Sequence, residues 1–227
     1  MQLSDLEIQV GKLTNDVQHA QYLIADVDQE LNNAQRQWNA EIKIIKETTT
    51  IPVVAAQRQY ALTLITGIPI SFPRVTQNGL DLKKRSKAYF DLYTSYDWTL
   101  INGTPTDFYI EATDPTNAFL TVYPNPTAND TPTNIVVESI IDTTDMANAT
   151  DTPFMQGATA NYLCRPYDFY LAYSAAARLL SRDPSPENQE RMATYMKIAE
   201  EGKDLLMTVF KEFEVEEPRR MQGGRQW

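Results

Sequence analysis

The chain is poor in the side chains that most catalytic and metal sites use. Among its 227 residues there is one cysteine, Cys164, and one histidine, His19. An intrachain disulfide and a multi-cysteine metal site are therefore excluded, and any Ser-His-Asp or Cys-His arrangement would have to use His19. The sequence also lacks a nucleophile elbow, a P-loop and a G-x-G-x-x-G turn. We expect no enzymatic activity, no cofactor and no metal ion, with His19 at the surface and Cys164 buried as a small apolar residue.

Basic residues and long apolar runs are scarce as well. The chain has 20 Lys and Arg against 30 Asp and Glu, a formal net charge of -10. Because phosphate binding depends mainly on Lys and Arg, this charge disfavours gripping nucleic acid over the whole surface, although it is compatible with DNA passing without sticking. No stretch approaches the ~18 apolar residues that span a membrane, and the first residues do not resemble a secretory signal. We therefore predict a soluble protein made in a cytoplasm, with no membrane partner.

The first 47 residues have a helical pattern. Apolar residues recur here at spacings that are mostly three and four: Leu3, Leu6, Val10, Leu13, Val17, Ile24, Val27, Leu31, Ala34, Trp38 and Ile45. Taken alone, this spacing is typical of one long coiled-coil helix. Gly11 and the polar cluster at 14–16 instead favour two helices, at about 2–14 and 24–47. We prefer two helices and keep the single coiled-coil helix as the alternative.

The pattern of residues 161–213 predicts a helical hairpin. Pro166 suits a first helical turn, and the first helix ends at an Arg-Asp-Pro sequence. Ser185 is a typical N-cap, with Pro186 at the first position of the next helix. One face of the first helix is formed by Phe169, Tyr170, Tyr173, Ala176, Ala177 and Leu180. A second apolar stripe then follows at a spacing near 3.5: Met192, Tyr195, Ala199, Gly202, Leu206, Val209 and Phe213. Gly202 on this stripe indicates the close approach of a neighbouring helix.

The middle of the chain, residues 48–160, predicts β structure. It is rich in Thr, Pro, Asn and Asp, and its β-type runs lie at 51–54, 59–64, 68–72, 73–82, 108–110, 119–123 and 135–141. Polar turns separate these runs, and Asn78-Gly79 is a strong hairpin-turn signal. This pattern predicts an antiparallel sheet or sandwich. Residues 142–153 have little apolar content and are predicted to form a long exposed loop that leads back to the helices.

Together these patterns predict an α+β protein. The apolar stripes in 1–47 and 161–213 are each too narrow to be buried alone, so these helices should pack together as a bundle. Residues 48–160 should form a β-rich insertion in that bundle. Residues 214–227, after the last apolar stripe, should be an extended C-terminal arm.

Two groups of residues are candidates for contacts with partners. A basic cluster in the β region consists of Lys83, Lys84, Arg85 and Lys87. It is either a charged sheet edge that blocks strand pairing or a surface facing DNA, a tail protein or another acidic partner. The arm contains residue types enriched at binding hot spots: Arg219, Arg220, Met221, Arg225 and Trp227. Because it has too few apolar residues to fold alone, we expect it to be disordered in the free subunit and ordered against a partner, as an extended segment or an added strand.

Several short motifs occur in an order that resembles one known family. They are Leu-Asn-Asn-Ala at 31–34, Gln-Arg-Gln-Tyr-Ala-Leu at 57–62, Gly-Thr-Pro-Thr-Asp-Phe-Tyr at 103–109 and Tyr-Pro-Asn-Pro at 123–126. A polar loop, a Tyr-rich helix and a long final helix follow in 142–213. The third motif departs from the family pattern by one residue. This series resembles the head-to-tail connector, or portal adaptor, proteins of tailed bacteriophages, and the resemblance covers nearly the whole chain.

The resemblance implies a virion structural protein at the neck, made in the cytoplasm of a host bacterium. It implies a dodecameric ring under the portal protein, with genomic DNA passing through its channel and the C-terminal arm docked on the portal. Tail or nozzle proteins would meet the β region. The alternative is a tail-associated receptor-binding or adhesin module on a helical oligomerisation base, which the heptad-like spacing of the N-terminal residues keeps open.

Overall fold

The structure, a computed structural model, describes residues 1–63, 65, 68–93, 97–114, 117–131, 133–156, 159–183 and 185–213. Its class is mixed α+β, as predicted. The helices are α1 Leu3–Thr14, α2 Ile24–Ile42, α3 Lys87–Tyr93, α4 Asp168–Leu180 and α5 Pro186–Phe213. The strands are β1 Lys46–Pro52, β2 Gln59–Ala61, β3 Pro69–Gln77, β4 Leu80–Asp81, β5 Lys83–Lys84, β6 Asp107–Asp114, β7 Asn117–Tyr123, β8 Asn134–Ile141, β9 Met155–Gln156 and β10 Thr159–Ala160.

The chain divides into two compact units. The helical unit consists of residues 1–44 and the described chain from Thr143 onward, and the β unit consists of Ile45–Asp142. The β unit is therefore continuous in sequence, whereas the helical unit is built from both ends of the chain. None of the described helices is long and apolar enough to cross a membrane.

Two separate helices form at the N-terminus, so the two-helix prediction is confirmed and the single coiled-coil helix is wrong. α1 ends at Thr14 because Asn15 adopts a left-handed conformation, with φ 60°. α2 ends at Ile42, with Lys43 left-handed, and does not continue to residue 47. The reason is tertiary: the β-branched run after Lys46 pairs with β8 over seven residues, and this pairing wins over the helical spacing that includes Ile45.

α4 is the central helix of the helical unit, because each of the other long helices contacts it. It packs against α1, α2 and α5, and most of its apolar side chains are buried: Leu171, Ala172, Ala175, Ala176, Ala177, Leu179 and Leu180. Tyr170 of α4 meets Gly202 of α5 so closely that an added Cβ would lie 2.2 Å from the Tyr170 Cγ. The predicted close approach at Gly202 is confirmed. The predicted N-cap is confirmed as well, because the Asn188 N–H donates to the Ser185 Oγ at 3.3 Å.

Residues 142–153 contain no helix or strand, and 144, 145 and 147–150 are exposed, as predicted, but the segment is anchored in the helical unit. Met146 and Phe154 are buried, with 3% and 1% of their surface exposed, and the Phe154 ring stacks on Trp38 at 6.4 Å between centroids. Two polar side chains of α2 hold the backbone of this segment. Asn32 exchanges two hydrogen bonds with the backbone of Met146, and the Gln35 Oε1 accepts the Phe154 N–H at 3.0 Å. The segment therefore belongs to the helical unit, which begins again earlier than the sequence indicates.

Two four-stranded sheets make up the β unit, in the orders β1-β8-β3-β4 and β2-β7-β6-β5. The pairs within them are antiparallel except β5–β6, which is parallel. The purely antiparallel prediction is wrong at this edge because a crossover through α3, not a hairpin, connects β5 to β6. The Asn78-Gly79 turn between β3 and β4 is confirmed, with φ 52° and 73°. One apolar cluster takes buried side chains from both sheets: Ile51, Val75, Ile135, Val137, Tyr60, Phe108, Leu120 and Val122.

Candidate functional site

Cys164 and His19, the two candidates for nucleophilic or general-base chemistry considered above, lie in different surroundings. Cys164 is fully buried, and burial, with a smaller contribution from Asp168, raises the pKa of its thiol far above the ordinary value. A thiol of this kind is not a reactive nucleophile. His19 is half-buried in the connection between α1 and α2. In the part of the chain that the structure describes, no group of three His, Cys, Asp or Glu side chains could hold a metal ion.

The basic cluster divides into two pairs of side chains. Lys83 and Lys84 form the exposed edge strand β5 and have no carboxylate partner among the described residues. Arg85 pairs with Asp107 at 2.9 Å and Lys87 pairs with Glu111 at 3.2 Å. The hydrogen bonds to these carboxylates raise the pKa of both cations. Since the carboxylates balance Arg85 and Lys87, only the two lysines of β5 remain as uncompensated charges for a partner.

An aromatic cluster lies in the same part of the β unit, and the sequence gives little sign of it. Phe90 of α3 is fully buried among Trp98, Tyr109 and Tyr123, with ring centroids 5.2 to 5.6 Å away. The Trp98 Nε1 donates to Asp91 at 3.0 Å. The short helix α3 is anchored by this cluster, while Leu92 and Leu100 beside it in sequence stay 77% and 74% exposed.

The connection between α1 and α2 is held by one buried carboxylate. Asp16 accepts the N–H groups of Ala20, Gln21 and Tyr22 at 2.7 to 2.9 Å. Burial alone would raise the pKa of Asp16, but these three hydrogen bonds lower it below its ordinary value. Large apolar side chains are exposed in the same connection and at the start of α2: Val17, Leu23 and Ile24. The result is an ordered loop with an apolar surface, which is a candidate contact.

A groove with a cavity volume of about 330 Å³ lies between α2, α4 and α5. We call it the α2–α4–α5 groove, and its lining is Gln37, Trp38, Ser174, Ala177, Arg178, Ser181, Met192, Met196, Ala199 and Glu200. Sequence reasoning placed Trp38, Met192 and Ala199 on apolar stripes, and Trp38 and Ala199 are indeed buried. It did not find the opening, because Met196 is off the stripe and 55% exposed. The pair of methionines one turn apart on α5 was the available signal.

The side chains that sequence reasoning placed in the C-terminal arm lie outside the described residues. They are Arg219, Arg220, Met221, Arg225 and Trp227. The structure therefore positions the end of α5, at Phe213, from which the arm continues.

Comparison with known protein families decides which kind of protein has these features. The sequence model described as SU10 adaptor protein matches residues 1–217. The chain belongs to the SU10 adaptor protein family. This is a family of phage head-to-tail adaptors, so the chain is a virion-associated structural protein of a bacteriophage, and the resemblance drawn from the short motifs is confirmed. A search of curated proteins found no match.

The family match covers both compact units of this adaptor and the first four residues of its arm. The arginines of the arm and Trp227 lie beyond the matched range. Their role therefore has to be argued from this chain alone.

Proposed function

We propose that this adaptor assembles into a homo-oligomeric ring, dodecameric by resemblance to the family, that joins the portal protein to the tail at the virion neck. Genomic DNA would pass through the ring without sequence-specific binding. The observation that carries the proposal is the family match over 1–217, which includes both compact units. The net charge of -10 is compatible with it, because an acidic surface repels phosphates and lets DNA pass without sticking. The protein would be made in the host bacterial cytoplasm.

In this proposal the two units divide the work. The helices of 1–44 and 143–213 act as a bundle that forms the base of the ring, and the β unit acts as a sandwich that meets tail or nozzle proteins. The shared apolar cluster of the two sheets supports a sandwich. Lys83 and Lys84 supply the exposed charge with which the β unit would meet an acidic partner.

The C-terminal arm would dock on the portal. Arg219, Arg220 and Arg225 would pair with acidic groups of the portal, and Trp227 would fill an apolar pocket. Burial of one indole contributes on the order of 2–3 kcal/mol before ordering costs. Because the contact repeats around the ring, a small surplus per copy makes attachment effectively permanent.

Truncation after Phe213 tests the arm. We expect a subunit that still folds but whose attachment to purified portal rings falls at least about tenfold, because the hot-spot residues are gone. A matched control replaces three exposed cations elsewhere: Lys12→Gln, Lys43→Gln and Lys197→Gln. Unchanged attachment of the truncated chain, or an equal loss in the control, would contradict portal docking through the arm.

The basic edge has a separate test. Lys83→Gln with Lys84→Gln should weaken attachment of tail proteins and leave portal attachment intact, because both side chains are exposed and without a described carboxylate partner. The matched control is Lys12→Gln with Lys43→Gln, both exposed in the helical unit. Equal tail attachment by the two double variants would show that β5 is only a charged sheet edge.

The structure gives the receptor-binding alternative less support than the sequence does. It depended on one long N-terminal coiled coil, and the structure breaks that segment between Thr14 and Ile24. An adhesin on this base would need another trimerisation element. The adaptor ring is therefore the function that we favour.

A further inference from the structure

The α2–α4–α5 groove is an apolar opening of the helical unit that no function above uses. Met192 and Met196 of α5 form one wall and Trp38 of α2 contributes to another, with Ala177 of α4 between them. Methionine is flexible and polarizable and makes favourable contacts with aromatic rings, so this lining suits an aromatic or sulfur-containing side chain. A volume of about 330 Å³ can accept a large side chain such as an indole.

The charges around the groove favour a cationic segment. Glu200 lines the groove, and it shares the Lys203 ammonium with Glu41, each carboxylate lying 2.6 Å from the Lys203 Nζ. Two carboxylates and one ammonium leave one net negative charge at this place. Arg178 is the cation in the groove wall, but Gln37 and Glu30 already engage it, which reduces its repulsion of an incoming arginine.

The C-terminal arm has the length and the composition to fill this groove. α5 runs 17 residues from Met196 to Phe213, or about 26 Å along a helix. The 14 residues of the arm span up to about 46 Å when extended, so Trp227 can turn back along α5 and reach Met196. The arm begins with three glutamates, Glu214, Glu216 and Glu217, which lie nearest to the end of α5. Its two large apolar side chains, Met221 and Trp227, and its three arginines all follow Pro218. Residues 218–227 therefore match both the apolar lining and the negative charge.

We propose that, before the portal is engaged, the arm of each subunit folds back and places Trp227 in the α2–α4–α5 groove of the same chain. This inference rests on the proposed docking of the arm on the portal and adds its regulation. It also revises the sequence-based expectation, because the free subunit offers the arm a surface of its own. The tucked arm covers an apolar side chain before assembly. The portal must then compete with the groove for the arm. The apparent affinity of the arm for the portal is lower when a smaller fraction of the arms is free.

Limited trypsin digestion of the full-length chain tests the tucked state. Arg219, Arg220 and Arg225 are tryptic sites in the arm, and mass spectrometry follows the loss of each terminal fragment. Met192→Gln with Met196→Gln removes the apolar lining without adding a cleavage site or a poor helix former. We expect arm cleavage to become at least about fivefold faster in this double variant, and in Trp227→Ala, because cleavage follows the open population. Met207→Gln, in the same helix outside the groove lining, is the control and should cleave at the original rate.

Equal cleavage rates in the unchanged chain, the groove double variant and Trp227→Ala would overturn the proposal. Protection that grows with protein concentration would also overturn it, because the groove would then hold the arm of a second copy. Failure of this inference is separable from failure of portal docking. If truncation after Phe213 abolishes attachment while the groove variant leaves cleavage unchanged, the arm docks on the portal without a tucked state. If protection is present but truncation leaves attachment intact, the arm has the tucked state and no portal role.

Discussion

The two compact units differ in how far along the chain their contacts reach. The β unit is continuous, and its ends meet through a hydrogen bond from the Ile141 N–H to the Ile45 carbonyl at 3.2 Å. The helical unit joins residues more than a hundred positions apart. Its contacts include those of Asn32 with Met146 and of Lys203 with Glu41. The β unit can therefore close on itself as the chain is made, whereas the helical unit has to wait for the chain beyond Thr143.

This difference gives the largest predicted effect. Residues 45–142 expressed alone should fold cooperatively, because their apolar cluster and both sheets are complete. Residues 143–213 expressed without 1–44 should not fold, because α4 loses the two helices that cover its buried alanines. Circular dichroism and thermal melting of the two fragments measure this. Leu120→Ala in the first fragment is the control, and it should lower stability by about 3 kcal/mol if the apolar cluster forms.

A cooperative melt of 143–213 alone, or a first fragment without a transition, would contradict the division into a self-contained and a dependent unit.

The second prediction concerns the closest contact of the helical unit. Gly202→Ala should lower the free energy of unfolding by about 3 kcal/mol, because the new Cβ would overlap the Tyr170 ring near its attachment. Chemical denaturation measures the change. Gly202→Ala combined with Tyr170→Ala should recover part of the loss, and Glu201→Ala next to it should be close to neutral. A neutral Gly202→Ala would mean that α4 and α5 do not approach at this point.

The third prediction is a pH dependence that belongs to the helical unit. Asp168 is 1% exposed and its carboxylate lies 2.5 Å from the Met1 ammonium. Burial raises its pKa to about 6, and the ammonium opposes this only in part. The folded state therefore binds the proton more tightly than the unfolded state, so the stabilisation is present at pH 4 and is lost as the pH rises through about 6.

Asp168→Asn removes this titration. The stability of the variant relative to the unchanged chain should rise by up to about 3 kcal/mol between pH 4 and pH 7. Urea denaturation at a series of pH values measures it, with Asp204→Asn, at an exposed position of α5, as the control. A constant difference over this range would show that burial does not control the protonation of Asp168.

The fourth and smallest effect tests the polar contacts that tie α2 to the returning chain. Gln35 is fully buried, and its Nε2 donates to the Asn32 Oδ1 at 2.7 Å and to the Thr144 carbonyl at 3.2 Å. Gln35→Leu should cost about 2 kcal/mol, because the Phe154 N–H then loses its acceptor. Thermal melting compares it with Gln29→Leu, an exposed position on α2. Equal melting temperatures for the two variants would show that the hydrogen bonds of Gln35 contribute little to the stability of the fold.

The parts of the fold that sequence predicts are those that local patterns determine. The α4–α5 hairpin follows from Ser185, Pro186 and an apolar stripe, and the turn at Asn78-Gly79 follows from its own backbone preferences. The end of α2 could not be predicted because the strand that replaces it is set by β8, about ninety residues later. Asn32 belongs to a motif that carried the family resemblance. The hydrogen bonds of Asn32 with the Met146 backbone give this residue a structural role that could not be predicted from the motif.

The candidate sites follow the same division. Lys83, Lys84 and the arginines of the arm can be identified from the sequence, because the charge of a side chain is known from its residue type alone. The α2–α4–α5 groove cannot be identified in this way, because three helices form its walls. From the sequence alone, Trp38 is predicted to be an ordinary core residue. Pairing of Arg85 with Asp107 also depends on the parallel register of β5 and β6, which no local signal gives.

Imaging of assembled particles by negative-stain electron microscopy is the most direct test of the adaptor ring. The purified chain mixed with portal rings should give coaxial stacks, in which a closed ring with a central channel sits on one face of the portal. The chain truncated after Phe213 should leave the portal rings bare. Elongated trimers or fibres of the full-length chain that do not bind the portal would contradict the adaptor ring and favour the receptor-binding alternative.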